Sequence, residues 1–413
     1  MSAEKSANEA VIVSAVRTPI GSFMGQFGTL PATELGARAV AAAVERAGVD
    51  PDSVYEVIMG HVVAAGAGQA PARQAALNGG LPATVGAASV NKVCGSGLKA
   101  VMLASNGIRA GEADVYVAGG MESMSTAPYL LPKARAGLRF GHGAVEDAVL
   151  KDGLWCSFEQ WPMGDAAEFI ARQFEIGREE MDAFALQSHE KAARATAAGR
   201  FAAEIVPIEV KIKRQMVRAI YDEPIRAEYH NGHYELTTSA ERLANLPPAF
   251  AADGAVTAGN APGLNDGAAA LVIMSRAAAE QQGLAPLARI VGYTHAAVTP
   301  QWIFSAPAQA IPRLLKRLDW SLDDVDLIEL NEAFAAQVLA NGVDMERQGL
   351  PWDWEKVNVH GGAVALGHPI GASGARVLVT LVHALRQRGR RRGIASLCLG
   401  GGEAVALAVE MEA

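Results

Sequence analysis

Short apolar runs of strand length alternate with longer stretches of helical period along much of this chain. Residues 11–16, Val-Ile-Val-Ser-Ala-Val, read as a strand. Residues 33–48 place Leu35, Ala39, Ala43 and Ala47 on one helical face, with Thr33 in position to cap and Gly48 to stop the helix. Residues 54–62 predict the next strand, and residues 69–77 a helix with Pro71 near its start. Residues 97–110 predict a helix whose inner face carries Leu98, Val101, Met102, Ser105 and Ile108. Residues 114–120 then read as a strand ending in a Gly119-Gly120 turn. The run 268–274 is a buried strand by length. Strands interleaved with helices imply an α/β architecture.

The last third repeats the theme. Residues 327–330 predict a strand, 371–388 a glycine turn and a long helix, and 394–398 a strand that runs into Gly400-Gly401-Gly402. Cys94-Gly95-Ser96-Gly97-Leu98-Lys99 echoes Gly371-Ala372-Ser373-Gly374-Ala375-Arg376 in the order of its elements. Val117-Ala118-Gly119-Gly120 echoes Cys398-Leu399-Gly400-Gly401. Two similar α/β halves are expected, with their loops meeting between them. The first half is residues 1–125, completed by about 255–283, and the second is 284–413. Residues 126–254 are an inserted, more charged subdomain. It includes a helix over 178–199 with Glu179, Glu180 and Asp182 in its first turn.

Composition narrows the picture. The 413 residues are 50% hydrophobic and 19% charged, which is a globular balance. A net charge of -8 argues against general binding to nucleic acid or an anionic membrane. The Lys211-Ile212-Lys213-Arg214 run is read as a solvated face. No run reaches the roughly 18 apolar residues that a membrane span needs. The first residues carry no signal or transit pattern, so a soluble cytoplasmic protein is expected. Three cysteines, Cys94, Cys156 and Cys398, form no disulfide framework and no zinc-like pair. Two of them stand in glycine-rich motifs.

Cys94 lies where a strand turns into a helix. Position alone fits a small packed cysteine as well as a nucleophile. Gly95-Ser96-Gly97 opens space around the sulfur and favours the nucleophile. Backbone amides and the helix dipole there are expected to lower the thiol pKa. His368, held between Gly367 and Pro369, reads as a positioned base rather than a solvated residue. Cys398, before three glycines at a strand end, can approach a ligand as a proton shuttle. A nucleophilic thiol, a histidine and a second acid/base thiol suit carbon–carbon bond formation or cleavage beside a thioester. No metal site is expected. His61 and His383 have no comparable flanks and read as structural, as Cys156 does.

Together these motifs resemble the thiolase family, the acetyl-CoA C-acetyltransferases and 3-ketoacyl-CoA thiolases. The resemblance runs nearly end to end. It includes Asn91-Lys92-Val93-Cys94-Gly95-Ser96-Gly97, Gly119-Gly120-Met121-Glu122-Ser123, Asn265-Asp266-Gly267-Ala268, Asn331-Glu332-Ala333-Phe334 and Gly367-His368-Pro369. It implies a duplicated, five-layered α-β-α-β-α fold assembled as a homodimer or homotetramer. It implies Cys94 as the acyl acceptor, His368 as its activator, Asn331 holding a water in an oxyanion hole, and Cys398 handling the α-proton. The amides of Cys94 and Gly400 match a second oxyanion hole. Coenzyme A would lie along the inserted subdomain, with Arg226 at the nucleotide end and Met163, Ala258, Ala261 and Pro262 along the thiol arm. Acyl-CoA and CoA are then substrates, and no cofactor is implied.

Three departures bear on substrate choice. Pro262 stands where many short-chain members have a serine, and Pro162 where they have a histidine. Ile303 and Phe304 replace a more open pattern beside the acyl pocket, which favours short chains. His360 occupies a slot that is often asparagine and reads as structural or supporting. Alternatives are a longer-chain 3-ketoacyl-CoA thiolase, a decarboxylating ketoacyl synthase and a non-catalytic acyl-CoA-binding protein. The cysteine at 398 argues against the synthase, and the intact residue set argues against the binding protein.

Overall fold

The first strand, β1 (Ala10–Arg17), is buried at every position. Ala10 and Ile12 enter one core while Val11 and Val13 enter another. Successive side chains of a strand point to opposite faces, so a strand buried on both sides is apolar nearly throughout. The other main strands are β2 (Glu56–Gly60), β3 (Gly86–Val90), β4 (Val115–Ser123), β5 (Asn265–Ser275), β6 (Ala288–Ala297), β7 (Leu327–Leu330), β8 (Arg392–Leu399) and β9 (Glu403–Met411). The longer helices are α1 (Ala32–Ala47), α2 (Pro71–Asn78), α3 (Ser96–Ala110), α4 (Met163–Phe174), α5 (Arg178–Ala197), α6 (Pro307–Leu318), α7 (Ala335–Arg347) and α8 (Ile370–Gln387). The computed structural model describes residues 7–212, 214–230 and 233–412, so Lys213 and the first six residues lie outside it.

The sheet order is β3-β2-β4-β5-β1 in the first half, continuing through β6-β9-β8-β7 in the second. β1 joins β6 by two pairs, Val11 with Arg289 and Ile12 with Ala288. Counted along the chain, the first half runs third, second, fourth, fifth, first. The second half repeats this order, its third strand reduced to the single bridge between Ile328 and Val357. The weak echo of motifs therefore marks a repeated topology.

Three buried clusters define the layers. One packs α1 and α2 on the outer face of the first half. One packs α6 and α7 on the outer face of the second. The third fills the space between the halves with α3 and α8. The expected five-layer α-β-α-β-α arrangement is what forms. α8 is buried from Ile370 to Leu385, as a helix in a central layer must be.

Two local expectations fail. Thr33 does not cap α1. The cap position is Pro31, whose extended backbone starts the helix earlier, and Thr33 is buried inside it. Gly119 and Gly120 make no turn, because β4 runs straight through them. A Cβ on Gly119 would sit 2.0 Å from the Ala269 carbonyl oxygen, and one on Gly120 2.1 Å from that of Gly371. These glycines serve close approach rather than backbone freedom.

The inserted segment is pinned to β1 by a buried ionic group. Arg17, fully buried, donates to Glu204 at 2.6 Å and to both oxygens of Asp222 at 2.6 and 2.9 Å. Burying such charges is tolerable only when they are paired and hydrogen-bonded like this.

The contact between α3 and α8 is closer than side chains allow. A Cβ on Gly97 would lie 2.6 Å from the Ala375 amide nitrogen, and one on Gly374 2.4 Å from that of Leu98. Ala ordinarily gains up to about 1 kcal/mol over Gly inside a helix. Overpacking against backbone costs about 1–3 kcal/mol. Gly97→Ala is therefore expected to destabilise the protein in urea unfolding, and an unchanged or raised midpoint would contradict this packing.

Candidate active site

Cys94 follows directly on Val93, a β-branched residue held at φ 45°. That conformation is uncommon for a branched side chain and marks a position fixed by its surroundings. The turn is tied by Ser96, whose hydroxyl donates to the Val93 carbonyl at 2.6 Å and accepts from the Lys92 amide at 2.9 Å. Asn91 Oδ1 accepts from the Val93 amide at 3.0 Å. α3 starts two residues after Cys94. The amides of Cys94 and Gly400 both face the Cys94 sulfur.

His368 lies just before α8. Its amide donates to Asn265 Oδ1 at 2.8 Å. Ser373 Oγ, one turn on, donates to the Pro369 carbonyl at 2.9 Å and lies 2.6 Å from His368 Nδ1. With its own proton committed to Pro369, the serine oxygen accepts, so Nδ1 carries the ring proton. Nε2 is left with the lone pair, 3.5 Å from Asn331 Nδ2. Burial, then the charge of Arg376, lowers the His368 pKa to about 3. The imidazole is neutral at ordinary pH and free to accept a proton.

Asn331 is fully buried at the end of β7, and its Oδ1 finds no partner among the described residues. The next residue fixes that turn. Glu332 accepts from Ser188 Oγ at 2.7 Å, Asn358 Nδ2 at 2.9 Å and the Val364 amide at 3.0 Å.

A cavity of about 310 Å³ gathers these groups. Cys94, His368, Cys398 and Gly400 line it, with Met163, Ala258, Ala261, Pro262, Ile303 and Phe304. Its walls are apolar. Phe304 packs on Phe334 with ring centroids 5.4 Å apart, and Phe250 packs on Phe334 at 6.4 Å. Gly164 makes room for Phe250, since a Cβ there would meet the ring at 2.2 Å. Ile303 and Phe304 are both buried in the turn Pro300–Ser305. Asn331 is placed behind His368 rather than on the wall. Arg226 is outside the lining too, and its guanidinium donates to the Ala258 carbonyl at 2.6 Å at the rim. His360 is buried against Phe201, ring to ring at 5.9 Å, away from the cavity.

One electrostatic expectation is reversed. The Cys94 thiol is not lowered but pushed up to about 12. Burial among apolar walls outweighs the two amides facing the sulfur. Cys398 is raised as well, by burial and then by the neighbouring charge of Cys94. Both thiols rest in their neutral form. Sequence reasoning also missed Leu150, Leu154, Phe250 and Phe334 as wall residues, and Ser373 and Asn265 as the holders of His368. Spacing gave one usable sign, since Ser373 stands five residues after His368 on a predicted helix start.

The comparisons with known proteins follow the same outline. Residues 10–277 match the thiolase N-terminal domain and residues 284–411 the thiolase C-terminal domain. The chain is 51% identical over 403 residues to an acetyl-CoA acetyltransferase of Cupriavidus necator, covering 97% of this chain and 99% of that one. It is 52% identical over 401 residues to an acetyl-CoA acetyltransferase of Escherichia coli, covering 97% and 98%. The crystal structure of the Bacillus anthracis acetyl-CoA acetyltransferase superposes with a TM-score of 0.92 at 47% identity, covering 98% of this chain and 99% of that one.

A thiol raised to about 12 is almost all protonated near neutrality, so alkylation follows the small thiolate fraction. The rate of iodoacetamide labelling at Cys94, read by peptide mapping, is expected to climb roughly tenfold per pH unit from about 7 to 9. A plateau already reached near neutral pH would contradict the apolar burial of the sulfur. With both domain matches spanning nearly its whole length and its fold repeated in solved relatives, the chain belongs to the thiolase family.

Proposed function

We propose that the protein is an acyl-CoA:acetyl-CoA C-acyltransferase acting on acetoacetyl-CoA or other short 3-ketoacyl-CoA substrates. In the cleavage direction, Cys94 attacks the 3-keto carbonyl while His368 Nε2 takes the thiol proton. The bond between the second and third carbons breaks. Cys398 gives its proton to the new carbanion, and acetyl-CoA leaves. CoA then enters, passes its thiol proton to Cys398 and attacks the acyl group on Cys94. Cys94 departs and recovers its proton from His368. Condensation is the same path reversed.

One observation carries this reading: a single apolar cavity holds both thiols and the histidine, with two amides facing the nucleophilic sulfur. All three groups start neutral, which is the protonation state the cleavage path needs. Oriented donors act most strongly where water is excluded, and one oxyanion donor is worth roughly 10²–10³-fold in rate. The unpartnered Oδ1 of Asn331 suits a water held behind His368. The acetyl-CoA acetyltransferase names of the relatives agree with a short acyl group. Ile303, Phe304 and Phe334 wall the acyl end. Residues 126–254 are assigned to CoA, with Arg226 toward the nucleotide and Met163, Ala258, Ala261 and Pro262 along its thiol arm. Pro262 supplies neither a hydroxyl nor an amide donor there, so the arm is held by apolar contact. No cofactor is needed for this chemistry. A cytoplasmic homodimer or homotetramer completes the proposal. Among the described residues, no helix is long and apolar enough to cross a membrane.

The test is CoA-dependent cleavage of acetoacetyl-CoA, followed by loss of its enolate absorbance. Wild type is expected to turn over and Cys94→Ala to lose at least about 10³-fold in kcat. Turnover only with a long-chain 3-ketoacyl-CoA would overturn the short-chain assignment. No turnover with either would overturn the enzymatic reading.

A further inference from the structure

Glu122 is fully buried near the end of β4, and no step of the proposed reaction uses it. Its two oxygens collect donors from two elements. Oε2 accepts from the Val62 amide at 3.2 Å and from the Gly371 amide at 2.9 Å. Oε1 accepts from the Val63 amide at 3.2 Å and lies 3.4 Å from His61 Nε2. Gly371 is in the first turn of α8, two residues before the Ser373 that holds His368. Val62 leads the other way. Its carbonyl accepts from Asn91 Nδ2 at 3.4 Å, and Asn91 Oδ1 holds the Val93 amide beside Cys94. A continuous set of bonds therefore runs from the Cys94 turn through Asn91, Val62, Glu122 and Gly371 to Ser373 and His368.

We infer that Glu122 is a positioning residue for the proposed acyl transfer, its carboxyl group clamping the first turn of α8, and so His368, to the loop that carries Cys94. The inference rests on the thiolase reaction proposed above. There is no slack in the clamp, since a Cβ on Gly371 would sit 2.9 Å from Glu122 Oε2 and 2.8 Å from the Met121 carbonyl oxygen. The charged or titratable groups that face Glu122 are His61, Asp266 across the β4–β5 pair, and Cys94. Burial raises the Glu122 pKa to about 7 and lowers that of His61 to about 4. A neutral carboxyl can thus donate to His61 Nε2 while its other oxygen keeps the Val62 and Gly371 amides. Glutamine keeps the acceptor for the Val62 and Gly371 amides and a donor toward His61, and gives up only the acceptor for the Val63 amide. Aspartate keeps the charge but withdraws the oxygens by one methylene.

The experiment compares wild type, Glu122→Asp, Glu122→Gln and Asn91→Ala in acetoacetyl-CoA cleavage, with thermal unfolding of each. A one-methylene misplacement of a catalytic pair is expected to lower kcat of Glu122→Asp by roughly tenfold or more, with KM for both substrates within about twofold. Glu122→Gln is expected to recover most of that loss. Wild-type kcat in a folded Glu122→Asp overturns the clamp, as does a Glu122→Gln that loses as much as Glu122→Asp. A loss shared equally between kcat and KM also overturns it. Should Glu122→Asp fail to fold, Asn91→Ala decides the matter from the exposed end of the same chain of bonds. A lowered kcat at constant KM supports the clamp, and wild-type kinetics overturn it. If wild type itself cleaves no 3-ketoacyl-CoA, the reaction assignment has failed rather than the clamp. The clamp is then read from iodoacetamide labelling of Cys94, which Glu122→Asp should change several-fold and Glu122→Gln should not.

Discussion

The structure depends on two helices meeting where neither has side chains to spare. α3 and α8 cross in the central layer with Gly97 against Ala375 and Gly374 against Leu98. Each helix follows directly on a functional loop, Cys94 before α3 and His368 before α8. Bringing the helices into backbone contact therefore brings thiol and imidazole to one cavity. The strands on either side obey the same demand for small residues. A side chain on Gly60 of β2 or Gly120 of β4 would strike the Gly371 carbonyl oxygen. Interiors are packed to crystal-like density, so this contact fixes loop positions and does not merely permit them.

Burial then sets the chemistry. A helix start and two inward amides would ordinarily favour a thiolate. Here the apolar walls built by Leu150, Leu154, Phe250, Phe304 and Phe334 reverse the balance, and the sulfur keeps its proton. The same walls keep His368 unprotonated. Neutral groups gathered on one apolar cavity suit proton transfer during the proposed attack better than a resting ion pair would. In the proposed reaction charge appears only as a step creates it, beside the amides of Cys94 and Gly400 that already face the Cys94 sulfur.

Much of this was legible in the chain. The Ser-Gly pair shared by residues 94–99 and 371–376 marks the paired helix starts, and its glycines, Gly97 and Gly374, lie in the helix contact. The apolar runs located every main strand of the second half except β6 and β9. What the chain hid was tertiary. Gly119-Gly120 reads as a turn until a neighbouring backbone is seen to need the space. The direction of the Cys94 shift depends on aromatic residues more than 150 positions away in sequence, such as Phe250 and Phe334. Ser373 and Glu122 make their contacts through hydrogen bonds that leave no periodic trace.

The central claim is that Cys94, and not Cys398, carries the acyl group. Brief incubation with acetyl-CoA alone, acid quenching and mass spectrometry of the two cysteine peptides test it most directly. An acetyl group on the Cys94 peptide that disappears when CoA is added is the expected result. An acetyl group on Cys398, or on neither peptide in an enzyme that turns over, would contradict the account.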